Sequence, residues 1–284
     1  MSSAHPNPNQ AKAEALWRSP PNLKRAYADY SFGQLHYRYT NPAQPKGRPF
    51  MLFHQTGSSG RCYEYFTAEM GKDRMAIVVD TPACGASDPI DHAPTIYDFA
   101  TAMEELIDSL KLKEVDVMGD HTGSRTAVEL ALRRPQQVRH VVMNAAPIYS
   151  KEELESRQNH DQKIHVPGKD GFHVHSRWDN SMRHLGDFSV TLGELEFIEG
   201  LRPGPFTYHG HNAAFSYPTK ENLPKVDQPV LILHAKDDLW EPTARAEPLI
   251  RNGKMVHLPQ FGREMLMVNY KEVADVVRPF LDAK

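Results

Sequence analysis

The chain is predicted to fold as an α/β protein, with a mostly parallel, doubly wound sheet and an inserted cap. Three observations carry this expectation. Short apolar runs rich in Val and Ile recur along the chain and end in turns, as strands buried on both faces do. Segments with a 3.6-residue apolar period lie between them, and strand–helix alternation implies right-handed crossovers. One run, 115–119 (VDVMG), passes through a five-residue turn straight into a helical stretch.

Taken in order, residues 1–22 are polar and proline-rich and read as an N-terminal arm. Residues 34–39 (QLHYRY) alternate like a half-exposed strand. Residues 50–54 (FMLFH) form a continuous apolar run before the turn TGSSG, and 75–80 (MAIVVD) form another before TPACG. Apolar positions at Ile96, Phe99, Ala100, Met103, Leu106, Ile107 and Leu110 predict a helix over 95–110. After 115–119, residues 124–134 are helical and stop at Pro135, which cannot continue a helix. Residues 141–144 (VVMN), 230–234 (VLILH) and 255–258 (MVHL) supply the last strands, and 270–281 a terminal amphipathic helix. Residues 150–222 differ. They hold seven of the 15 histidines, many Gly and Pro, and no run suited to a parallel strand. We read them as a cap inserted into a core of 23–149 and 223–284, over the sheet edge where α/β proteins bind ligands.

Composition excludes several classes. At 284 residues and 40% apolar content, the chain is long enough for a sizeable core and too apolar for global disorder. No apolar run approaches the ~20 residues of a membrane span, and the N-terminus lacks the charged and apolar regions of a secretory signal. A formal charge of −3 without a basic block argues against nucleic acid. Two cysteines make neither a disulfide framework nor a zinc ligand set. The pairs His173-x-His175 and His209-x-His211 read as surface or cap histidines rather than metal ligands, so no metal and no cofactor are expected. The expectation is a cytoplasmic protein with a small-molecule partner, and a homodimer stays open.

The strongest local signal is Gly119-Asp120-His121-Thr122-Gly123. A Gly-x-x-x-Gly turn between strand and helix holds its central residue at strained φ/ψ and projects that side chain above the sheet. The layout resembles the α/β-hydrolase superfamily over roughly residues 25–284. HQTGSSG, DTPACGASD, HAKDDLWEP and QFGREMLMVNY resemble the family's oxyanion-loop, turn, acid-loop and base-loop segments, in the right order. The resemblance implies a hydrolase. By this resemblance His121 replaces the Ser, Cys or Asp nucleophile, Arg263 replaces the base histidine, and Asp238, four before Pro242, is the acid. The family's oxyanion-hole positions fall on Thr56 and Thr122.

A different register would put Asp120 or Ser124 at the apex. Arg263 beside His121 is expected to lower the histidine's pKa, leaving a neutral imidazole suited to act as base or nucleophile. Substrate contacts are expected from His54, Gln55, Trp178, His209 and Trp240. Arg125 is expected on a helix surface or at an interface. Ester, lactone, amide or activated C–C hydrolysis, lyase or isomerase chemistry, and an inert His–Arg–Asp network all remain open on sequence alone.

Overall fold

The computed structural model describes residues 10–164, 167–184 and 190–283. Its strands are β1 Lys24–Tyr30, β2 Gly33–Thr40, β3 Phe50–Phe53, β4 Ala76–Val79, β5 Val115–Asp120, β6 Val138–Asn144, β7 Val230–Ala235 and β8 Gly253–Leu258. Its helices are α1 Gln10–Leu16, α2 Glu64–Met70, α3 Ile96–Ser109, α4 Thr122–Arg133, α5 Lys151–Ile164, α6 Phe172–His184, α7 Val190–Leu201, α8 Thr207–Ser216, α9 Thr219–Asn222, α10 Trp240–Ala244, α11 Met265–Val268 and α12 Tyr270–Leu281.

The eight strands form one sheet in the order β1-β2-β4-β3-β5-β6-β7-β8. β1–β2 and β2–β4 are antiparallel, and every other pairing is parallel. Side chains alternate across the central strands. Met51, Phe53, Ile77, Val79, Val117, Val141 and Ile232 bury against α3 and α4 on one face. Phe50, Leu52, Val78, Met118, Val142, Leu231 and Leu233 bury against α2 and α12 on the other. Each fully buried side chain of this kind contributes roughly 1.5–3 kcal/mol. That two-sided burial is why these runs are continuously apolar.

Residues 24–30 hold a strand that the apolar pattern does not show. Lys24, Arg25 and Asp29 interrupt it because β1 is an edge strand, with one face exposed and one edge unpaired. The N-terminal segment holds α1, whose Ala13 and Leu16 are buried, and the Trp17 indole donates to Thr191 O on α7 at 2.8 Å. α3 begins with a reciprocal capping box between Thr95 and Asp98. Among the described residues no helix is long and apolar enough to cross a membrane.

Helices α5–α9 all lie between β6 and β7 in the chain. The sequence pattern shows no strands there, and the structure shows none among the described residues. His165 lies outside the described residues.

Candidate active site

The apex of the turn after β5 is His121, at φ 47° and ψ −102°. A non-glycine residue in this region is strained and persists only where its surroundings hold it. The hold comes from both sides. His121 N donates to Asn144 O at 2.9 Å, and Ser124 N donates back to His121 O at 3.2 Å. Both flanking glycines are required by contact: a Cβ on Gly119 would collide with the Gly123 carbonyl, and a Cβ on Gly123 with the Phe53 carbonyl. Ser124, by contrast, is turned away, donating to Gly119 O at 2.9 Å.

The ring of His121 lies between two carboxylates. Its Nε2 is 3.2 Å from Asp237 Oδ2 and 3.8 Å from Asp120 Oδ1. Asp120 is buried and held by the Tyr63 hydroxyl at 2.6 Å and by Asn144 Nδ2 at 2.8 Å. Asp120 and Asn144 are register partners at the ends of β5 and β6, so the sheet itself brings them together. Burial pushes the Asp120 carboxyl up, against the lowering effects of His121, Tyr63, Arg263 and Asn144. Burial likewise pushes the His121 imidazole down, but the charges of Asp120 and Asp237 and the Asp237 hydrogen bond outweigh it. The net shift is upward although Arg263 opposes it. The expected lowering by Arg263 is therefore present but overruled by two carboxylates.

The acid is expected at Asp238, but the carboxylate of this loop that faces His121 is that of Asp237, one residue earlier. Asp237 has only 5% of its side chain exposed and faces His121, whereas Asp238 is 38% exposed. The turn decides this. The Leu239 N–H donates to Asp237 Oδ1 at 2.8 Å, and the Trp240 N–H donates to Asp237 O, which fixes the Asp237 side chain inward. Asp238 then projects to the arginines, 3.8 Å from Arg263 Nη1 and 3.6 Å from Arg157 Nη1. Arg263 also donates to Gln55 Oε1 at 3.0 Å. The Thr56 and Thr122 hydroxyls are 2.7 Å apart, which places the loop after β3 against the first residue of α4.

A cavity of about 710 Å³ opens above His121. Gln55, Thr56, His121, Thr122, Asp238 and Arg263 line its floor, and residues of α5, α6 and α8 line its walls, among them Arg157, Arg177, Asn180, His211 and Phe215. Several expected substrate contacts are not in this wall. His54 is buried beneath it: its Nε2 accepts from the Thr81 N–H at 3.0 Å, so its Nδ1 donates to Gln55 O at 2.7 Å. Burial holds the His54 pKa down. Trp178 packs edge-on against Phe197, and Trp240 stacks on His234 at 3.7 Å between ring centroids. His209 lines a smaller neighbouring cleft with His54, Thr56 and Gly57. Arg125, expected on a helix surface or at an interface, is buried and lines the cavity. Its position is four residues after His121, one turn along the same helix face, and that spacing was the available signal. Asp237, Tyr63 and Asn144 were the other residues missed, and Asp120 was considered only as an alternative apex. Among the described residues no cluster of three or more His, Cys, Asp or Glu is placed to hold a metal ion.

No protein-family model matches the chain. A 2-hydroxy-6-oxononadienedioate/2-hydroxy-6-oxononatrienedioate hydrolase from Pseudomonas putida is 28% identical over 115 residues, 39% of this chain and 39% of that protein. The match thus spans about two fifths of that relative's length. Likeness to solved structures runs much further. The enol-lactonase of Burkholderia xenovorans LB400 superposes with a TM-score of 0.77 at 18% identity, over 91% of this chain and all of that one. The protein has the α/β-hydrolase fold. A carboxylesterase from Bacillus subtilis superposes with a TM-score of 0.72 at 18% identity, over 96% of this chain and 95% of that one. In the frame of the α/β-hydrolase fold, His121 stands at the turn after β5, Asp237 on the loop after β7 and Arg263 on the loop after β8.

Proposed function

We propose that the protein is a hydrolase acting on an ester, lactone, amide or activated C–C bond of a small organic molecule, with His121 as its working group and helices α5–α9 as a cap that selects substrate. The observation that carries this reading is the His121–Asp237 pair at 3.2 Å, set at a strained apex on the floor of the cavity. Strain of this kind costs of order 1–3 kcal/mol and is characteristic of active sites. The proteins similar in sequence or fold include hydrolases named for an enol-lactone, for carboxylic esters and for an oxo-dienedioate.

With Nε2–H donating to Asp237, Nδ1 of the neutral ring is the nitrogen left to accept a proton. It takes one from water, and the water oxygen attacks the carbonyl carbon. The N–H groups of Thr56 and Thr122 receive the negative charge that develops on the carbonyl oxygen. Collapse breaks the bond to the leaving group, which takes the proton back from the imidazolium. Asp237 orients the ring and balances its charge, the role an acid plays beside a catalytic histidine. Asp238 and Arg263 form the far side of the floor and hold Gln55 in place.

A lyase or isomerase reading uses the same pair for proton transfer alone. Its supporting observation is that the apex bears no Ser, Cys or Asp. Turnover of a panel of small esters, lactones and β-diketones in oxygen-18 water separates the two. One solvent oxygen in the product is the result expected for the hydrolase. Turnover without solvent oxygen would move the assignment to lyase or isomerase, and no turnover of any panel member would point to a binding protein.

A further inference from the structure

Arg125 is a buried arginine. Only 4% of the residue is exposed, and among the described residues no carboxylate pairs with its guanidinium. Its partners are neutral: His121 O at 3.3 Å, Pro147 O at 3.4 Å and the Tyr149 side chain, and among the described residues its buried Nε has no hydrogen-bond partner. Buried charges are normally paired, because bonds to neutral groups do not offset the desolvation of a guanidinium. A second cation makes the deficit larger. Arg157 approaches the same Tyr149 ring, with its Cζ 4.8 Å from the centroid and that of Arg125 5.9 Å away. All three side chains line the cavity over His121.

We propose that the substrate is an organic acid whose carboxylate is bound by the Arg125 guanidinium, with Arg157 as the second cation. A guanidinium presents its N–H groups in a fork that matches two carboxylate oxygens. The bond from Nη1 to His121 O puts that fork one helical turn from the elbow, so an acid group seated there leaves the reacting carbonyl of a short chain over His121. Burial pushes the Arg125 pKa down, with Arg157 adding to the effect, and a bound anion relieves both. The Asp238 carboxylate beside Arg157 sets the polarity of the site: the anion belongs at the Arg125 end. This inference rests on the cavity being the substrate site, but its test needs no turnover.

The test is calorimetric titration with glutarate, with neutral glutaramide and with inorganic phosphate. Glutarate is expected to bind saturably and at least tenfold more tightly than glutaramide. Arg125→Met, nearly isosteric and uncharged, is expected to lose at least tenfold in glutarate affinity and to melt no lower than the parent without ligand, because an uncompensated charge has been removed. Arg125→Lys keeps the charge without the fork and is also expected to lose at least tenfold. Glutarate binding no tighter than glutaramide would overturn the proposal in the parent protein alone. So would phosphate binding without glutarate binding, unchanged glutarate affinity in Arg125→Lys, or an Arg125→Met variant that melts well below the parent. If glutarate binds through Arg125 while no ester, lactone or diketone is turned over, the hydrolase reading fails and the carboxylate site stands.

Discussion

Asp237 and Asp238 are adjacent carboxylates in different surroundings, and on the proposed mechanism only Asp237 supports His121. Substituting each by Asn separates them. The Asp237 carboxylate lies 3.2 Å from His121 Nε2 with 5% of its side chain exposed. A hydrogen bond to a charged group in such a place is worth roughly 1.5–3 kcal/mol, which corresponds to a loss of about tenfold to 150-fold in kcat/KM. The Asp238 carboxylate is 38% exposed, with Arg157 Nη1 at 3.6 Å and Arg263 Nη1 at 3.8 Å. Pairs this open contribute about 0–1 kcal/mol, or less than about sixfold. The assay is kcat/KM against pH on an activated ester or lactone found in the panel. Asp237→Asn should also move the alkaline-rising limb to lower pH, since one of the charges that raises His121 is gone. An Asp238→Asn variant damaged as severely as Asp237→Asn, or an Asp237→Asn variant within threefold of the parent, would refute this division of labour.

Other outcomes follow from the same geometry. If His121 is the base, activity should rise with pH through an apparent pKa above the ordinary ~6.5 of histidine, because Asp120 and Asp237 raise it. The linked effect on stability has the same sign. The charged ring favours the folded state, so its contribution is complete below pH ~6.5 and is lost as pH rises through the folded-state value; urea unfolding of the parent relative to His121→Gln between pH 6 and 9 should show it. Asp80, held down to about 2, accepts from His36 Nδ1, Arg38, Gly60 N and Ala86 N, all within 3.0 Å. Asp80→Asn breaks a buried charge network and should cost about 3–5 kcal/mol. The parent's own Asp80 contribution, present above the ordinary carboxylate range, should fade as pH falls toward 2. Ala83 sits at φ 70°, in the left-handed region. Ala83→Gly should stabilise by roughly 1 kcal/mol in urea unfolding, and a loss of stability would count against strain there.

The sheet was legible because its central strands are buried on both faces, so continuous runs such as 50–53 and 76–79 could not be amphipathic helices of useful length. β1 was not legible, since an edge strand keeps charged residues that a buried strand would exclude. The helical insertion was recognisable as different from the core but not as helices, because α5 and α6 carry polar side chains toward a cavity as well as toward solvent. At the site, the elbow was legible from its two glycines, whose role is steric and local. Which carboxylate faces His121 was not, because the one-residue choice between Asp237 and Asp238 depends on the turn made by Leu239 N, which no pattern of residue types specifies. The direction of the His121 shift was missed for the same reason. Arg263 was visible in the sequence as a neighbour, but the approach of two carboxylates depends on where β5 and β7 end in the sheet.

On the proposed mechanism the histidine at the apex does the chemistry. The most direct measurement is kcat/KM of His121→Ala beside its melting temperature, using whichever panel compound the parent turns over fastest. General acid–base participation is typically worth ~10²–10⁴-fold. The account predicts a loss of at least about a hundredfold with no loss of folding, since the apex is strained and Ala is smaller than the ring it replaces. A folded His121→Ala variant that retains more than about a tenth of the parent's activity would contradict it.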